Sequence, residues 1–206
     1  MFYAIFHLIF FVIAKLFFRI KVIGHSNIPK KGGVIIASNH MSYFDPPFIG
    51  CVICRRVNFM ARDDLFRNPV FAWFLRRFKS FPVKRGTGDR GAIKEAVRRL
   101  KKGEPMLLFP EGTRSKDGRL GKGMPGVGLV AALTGAPVVP AFIKGSEDVL
   151  PRDSKRLRFK KVTVAFGKPI DFTEMIEKNR GDKKMFDNIT NEIMKGISEL
   201  KETWKL

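Results

Sequence analysis

The stretch GVIIAS, Gly33–Ser38, is a short unbroken apolar run that opens on glycine and closes on a polar residue. Such a run fits a strand buried on both faces of a parallel sheet. Outward from it, VNFMA (Val57–Ala61), KSFPV (Lys79–Val83), PMLLFP (Pro105–Pro110), PVVPAFI (Pro137–Ile143) and KVTVAFG (Lys161–Gly167) read the same way. Helical signals lie between them. Asn68-Pro69 reads as an N-cap with a first-turn proline before VFAWFLRRF. Ile93, Ala96, Val97 and Leu100 share one helical face, and VGLVAALTG stops at Gly135. Phe186, Ile189, Ile193, Ile197, Leu200 and Trp204 continue at helical spacing. Strands alternating with helices predict an α/β fold, a largely parallel central sheet flanked by helices. Ligands in such folds bind beyond the carboxyl ends of the strands. The segments SNH, KRG and EGTRS stand at three such ends.

The first twenty residues, MFYAIFHLIFFVIAKLFFRI, are the most apolar part of the chain. They lack the basic start and small-residue cleavage site of a signal peptide. Lys15 interrupts the run short of the ~20 apolar residues of a membrane span. His7, Lys15 and Arg19 fall within one helical arc, leaving Phe, Ile and Leu elsewhere. This predicts a membrane-associating helix over residues 1–20, lying in the surface with Lys15, Arg19 and Lys21 toward anionic headgroups. A core helix and a tilted span are the alternatives. Residues 21–206 form the remaining unit.

Thirty-nine Lys and Arg against nineteen Asp and Glu give a net charge of +20. That excess calls for an anionic partner: a nucleic acid, an anionic membrane surface or a phosphorylated substrate. Twenty Phe against two Trp and two Tyr suit dry cores, acyl pockets or membrane contact. Cys51 and Cys54 read as two small apolar residues on one helix face, because a tetrahedral zinc needs four ligands. No metal or cofactor is expected, and a reducing compartment fits.

His40 precedes Asp45 by five residues in SNHMSYFDPP. Ser42-x-x-Asp45 and Asp45-Pro46 also read as helix-start signals. As a dyad, the carboxylate fixes the imidazole tautomer and leaves the other ring nitrogen to take a proton. No G-x-S-x-G elbow supplies a nucleophile, so the dyad suggests a substrate that brings its own hydroxyl. In LLFPEGTRS, Gly112 allows close backbone approach and Arg114 offers a fork for phosphate. In FPVKRG, Lys84 and Arg85 stand just past a strand. The spacing of DGRLGKG does not meet the phosphate-loop pattern.

Together these segments resemble the glycerolipid acyltransferase family, whose members acylate lysophosphatidic acid. NHMSYFD matches its N-H-x-x-x-x-D block, FPVKRG its second block, FPEGTRS (Phe109–Ser115) its third and APVVPAF its fourth, in family order. Met41 stands where the family often has glutamine, and VKR departs from the common second block. The resemblance implies that His40 is the general base and Asp45 its partner. It implies that Arg114 and Arg85 hold the acceptor phosphate, with Lys84, Glu111, Gly112 and Thr113 also at the substrate. Backbone N–H groups near Gly112 could supply one donor for the oxyanion. The implied donor is acyl-CoA or acyl carrier protein, a co-substrate rather than a cofactor. The implied acceptor is a lysophospholipid, at the cytoplasmic face of a membrane, with no nucleic acid involved. The rival readings are a basic RNA-binding protein, a non-catalytic anionic-lipid-binding module and a metal hydrolase.

Overall fold

Every residue of Val34–Ser38 is buried, and this strand takes the middle of the sheet. The computed structural model describes residues 2–84, 88–115, 117–151, 154, 156–179, 182 and 184–204. Among the described residues seven strands form one sheet: β1 (Lys21–Ile23), β2 (Val34–Ser38), β3 (Asn58–Arg62), β4 (Ser80–Val83), β5 (Pro105–Leu108), β6 (Val138–Lys144) and β7 (Thr163–Phe166). Their order is β1-β7-β6-β2-β5-β3-β4. From β6 to β4 all neighbours are parallel. β7 runs antiparallel to β6 and carries β1 parallel to itself. The expected largely parallel sheet is therefore present. The strand β1 was not foreseen, since three half-exposed residues carry no periodic signal.

The helices are α1 (Phe2–Leu16), α2 (Asp45–Cys51), α3 (Pro69–Arg77), α4 (Arg90–Lys101), α5 (Gly126–Thr134), α6 (Ser146–Val149), α7 (Thr173–Lys178) and α8 (Lys184–Thr203). One apolar layer joins Ala14, Phe18, Phe48 and Ile49 to Ile36, Val139 and Val164 of the sheet. The other joins Ala96, Leu100, Val130, Ile189 and Ile193 to Ile35, Met106 and Val138. Residues 35 and 36 thus face opposite layers, as strand alternation requires. Gly128 lets α5 and α8 meet closely: a Cβ there would lie 2.1 Å from the Phe186 carbonyl oxygen.

Several local expectations hold. Asn68 Oδ1 accepts the backbone N–H of Val70 and Phe71, capping α3. Gly135 ends α5 with φ +61°. The stripe on α8 buries Ile189, Ile193, Ile197 and Leu200 but leaves Trp204 exposed.

Two local expectations are corrected. Cys51 closes α2 and is buried, whereas Cys54 lies exposed in the turn beyond, so the two share no helix face. The basic arc on the N-terminal helix is broken, because α1 ends at Leu16 and Arg19 lies beyond it with φ +44°. His7 faces the protein, its Nε2 3.2 Å from the Ile53 carbonyl oxygen. Ala14, Phe18 and Ile20 belong to the same core cluster as Ile36 of β2 and Phe48 of α2. The outward face of α1 carries Ile5, Leu8, Ile9, Val12 and Leu16 in the open. No helix among the described residues is long and apolar enough to cross a membrane.

Candidate active site

The carboxyl ends of β2, β5 and β6 meet at the centre of the sheet, and the chain turns sharply after β2. Asn39 fixes that turn. Its Oδ1 accepts the Ile143 N–H at 2.8 Å and its Nδ2 donates to the Ile143 carbonyl at 3.0 Å. The side-chain amide thus continues the pairing of β2 with β6 one residue past the strand. It is fully buried, where an unmade hydrogen bond would cost about 1–3 kcal/mol.

His40 follows directly. Its Nδ1 lies 2.8 Å from Asp45 Oδ2, which also accepts the N–H of Met41 at 2.6 Å and of Ser42 at 2.8 Å. Asp45 is wholly buried at the first position of α2. The helix-start signals are not borne out as caps: Phe44 is the N-cap of α2 and no side chain caps it, so Asp45 Oδ2 serves His40, Met41 and Ser42 instead. An ionised carboxylate only accepts, so Nδ1 carries the hydrogen and Nε2 is left with a lone pair. Asp45 Oδ1 is buried and makes no hydrogen bond to the described residues.

The loop after β5 completes the setting. The Phe109 ring lies against the His40 ring at 4.0 Å between centroids and 17° between planes. Glu111 Oε1 accepts the His40 N–H at 3.0 Å, and the Ser115 N–H donates to the His40 carbonyl at 2.8 Å. Glu111 Oε2 accepts the Gly121 N–H at 2.8 Å. Both oxygens of Glu111 therefore hold backbone, which makes it a strut for His40 and its loop. Gly112 takes φ +68°, a conformation that strains any other residue. Its own N–H closes the turn onto the Phe109 carbonyl at 3.0 Å. Thr113 is exposed beside it.

The Arg114 guanidinium carbon sits 3.6 Å from the centre of the Tyr43 ring, inside the span from His40 to Asp45. Arg114 is thereby brought to the dyad. Lys84 is not. It follows β4, three strands from β2, a distance of roughly 14 Å across the sheet. Its N–H donates to Asp89 Oδ2 at 2.9 Å. Arg85 lies outside the described residues. Asn39, Tyr43 and Phe109 were not singled out from the sequence. A buried asparagine directly after a strand was the available signal for Asn39. The two aromatics had none beyond adjacency to the motifs. Among the described residues no group of three or more His, Cys, Asp or Glu side chains is placed to hold a metal ion.

Comparison with known proteins gives concordant matches. Residues 19–144 match the model of the family described as Acyltransferase. Over 158 residues the chain is 34% identical to a chloroplastic 1-acyl-sn-glycerol-3-phosphate acyltransferase of Arabidopsis thaliana, covering 75% of this chain and 44% of that protein. It thus spans less than half of that relative's length. It is 33% identical over 175 residues to the 1-acyl-sn-glycerol-3-phosphate acyltransferase of Bacillus subtilis (strain 168), covering 82% of this chain and 84% of that protein. The crystal structure of the 1-acyl-sn-glycerophosphate acyltransferase PlsC from Thermotoga maritima superposes with a TM-score of 0.74 at 26% identity, covering 95% of this chain and 79% of that one.

Proposed function

The chain belongs to the Acyltransferase family, and on that premise we propose that it moves a fatty acyl group from an acyl thioester to the free hydroxyl of lysophosphatidic acid, giving phosphatidic acid. The observation that carries the reading is the His40–Asp45 pair, with Nδ1 held at 2.8 Å by a carboxylate that three N–H groups address. That arrangement suits a base whose nucleophile arrives with the substrate. Names of relatives supply the acceptor, 1-acyl-sn-glycerol-3-phosphate.

In this reading Nε2 of His40 removes the acceptor's hydroxyl proton as the oxygen attacks the thioester carbonyl. The tetrahedral intermediate collapses, the C–S bond breaks, and the proton passes from His40 to the leaving thiolate. The thioester is already activated, so no acyl-enzyme is formed and no metal or cofactor is invoked. General base catalysis of this kind is worth ~10²–10⁴ in rate. Arg114 binds the acceptor phosphate, to which its planar fork is matched. The thiol carrier is CoA or acyl carrier protein, both anionic, and both suit the charge of +20.

The acceptor is a lipid, and the reaction is placed at an anionic bilayer on its cytoplasmic face. The open apolar face of α1, with Ile5, Leu8, Ile9, Val12 and Leu16 exposed, supports the bilayer contact. Mass spectrometry of the lipids formed from a panel of lysophospholipids and acyl thioesters tests the reading. Phosphatidic acid from lysophosphatidic acid is expected as the leading product. Preference for an acceptor without a phosphate would reassign Arg114.

A further inference from the structure

We infer that α3 is a second membrane-seated helix, which enters the same anionic bilayer surface as α1 and makes with it one two-helix platform. The inference rests on the membrane reading above and extends it to a helix whose start the sequence marked but whose outward face it did not.

α3 buries only Ala72 in the protein. Val70 is 76% exposed and Trp73 49% exposed, and Phe71 and Phe74 are open as well. At 100° per residue, Val70, Trp73, Phe74 and Arg77 share one narrow arc, with Phe71 at its flank and Ala72 opposite. A helix that turns its aromatic side outward and its alanine inward has its apolar partner outside the protein. That face does not stand alone. The Phe6 ring of α1 meets the Phe74 ring edge-on at 6.3 Å and the Phe78 ring at 6.1 Å. Phe6 and Phe74 are themselves exposed, so the open faces of α1 and α3 are continuous.

The charge around the patch selects an anionic lipid surface over another apolar partner. α3 has no acidic residue in its first turn and carries Arg76 and Arg77 in its last. Both are exposed, and the Arg77 guanidinium lies over the Trp73 ring at 5.2 Å. The acids just upstream are Asp63 and Asp64, and Asp64 is paired with Arg62. Arginines at the border of an apolar face lay their stems along the acyl region and their heads among phosphates. Tryptophan suits the same boundary, with an apolar body and a polar N–H. The Asn68 cap holds α3 already folded, so lipid contact does not have to order it.

Trp73 and Trp204 are the two tryptophans, so Trp204→Phe leaves Trp73 as the sole reporter. The full chain carrying that change is mixed with vesicles of phosphatidylglycerol and phosphatidylcholine. Trp73 emission is expected to shift to the blue and to be quenched by lipids brominated on their acyl chains. Val70→Asp with Phe71→Ser, both outside the core, should lower the vesicle-bound fraction about tenfold with an unchanged melting temperature. If the protein floats with vesicles while Trp73 stays unquenched by lipid and open to iodide, α1 alone meets the bilayer and this inference fails while the membrane reading stands. If the protein does not float at all, both fail. If Trp73 is shielded without vesicles and sedimentation shows a dimer, the patch is covered by a second copy and the inference is overturned.

Discussion

Glu111 reaches back 71 residues in sequence to accept the backbone N–H of His40 at 3.0 Å. With its other oxygen it holds Gly121 at 2.8 Å. The loop that carries Arg114 and the turn that carries His40 are therefore fastened to each other through one carboxylate. Glu111→Gln keeps one acceptor and turns the other into a donor facing an N–H. It should cost about 1–3 kcal/mol of stability. Turnover should fall while KM for the acceptor holds. A large rise in acceptor KM with unchanged turnover would show instead that Glu111 touches the substrate.

Asp45→Asn separates orientation from charge. With its oxygen in the place of Oδ2 the asparagine still accepts from His40 Nδ1, Met41 and Ser42, while its amide nitrogen takes the buried Oδ1 position, where no hydrogen-bond partner stands among the described residues. The ring tautomer is kept, but the imidazolium that forms during reaction loses its counter-charge. Turnover should drop by about 10²–10⁴ yet stay above that of His40→Ala. Steady-state rates for the two variants side by side check the ordering.

Arg114→Ala removes a charge-assisted hydrogen bond worth roughly 1.5–3 kcal/mol. Acceptor use should weaken by about one to two orders of magnitude, with little change for the thioester. Arg114→Lys should rescue only in part, because lysine loses both the fork and the stacking on Tyr43. A defect confined to the donor would mean that the anion at this site is the carrier's.

The two sides of the N-terminal segment should behave differently. Phe18 is packed against Phe48, with ring centroids 5.1 Å apart, and Phe18→Ala should destabilise the protein by about 3–5 kcal/mol. Leu8 and Ile9 are open, and replacing both with Ser should leave the melting temperature in place while weakening vesicle flotation. Deleting residues 1–18 removes both functions at once, so soluble-acceptor activity should fall with the fold. Retention of a stable, active core after that deletion would show that Ala14 and Phe18 are dispensable.

Burial pushes the Cys51 thiol up to about 12, so it is a thiol without thiolate at neutral pH. Cys54 is exposed, its Sγ 3.7 Å from His25 Nε2. One thiol should react with a disulfide reagent in the native protein and two after denaturation. Two equivalents in the native state would put Cys51 outside the core.

Much of this was legible in the sequence, and the exceptions share a cause. Apolar runs identified β2, β5 and β6, which are buried almost throughout, and also the half-buried β3 and β4. Asn68 and Gly135 named their helix ends through local chemistry. His40, Asp45 and Arg114 were legible as motif residues and converge in space. What stayed hidden depends on long-range placement. The order of strands, which puts Lys84 at the far edge from His40, is not written in any one segment. Nor is the inward turn of Glu111, since a loop glutamate and a strut glutamate look alike along the chain. The docking of α1 was equally hidden, because an apolar helix reads the same whether lipid or protein covers it.

The central claim is that His40 activates the acceptor's own hydroxyl. Its most direct test measures phosphatidic acid formed from lysophosphatidic acid and a long-chain acyl thioester, by wild type and by His40→Ala, on vesicles. The account predicts steady product from wild type and only background from the variant, which should keep its melting temperature and vesicle binding. Near-normal product from His40→Ala, or none from wild type with any long-chain thioester, would contradict it.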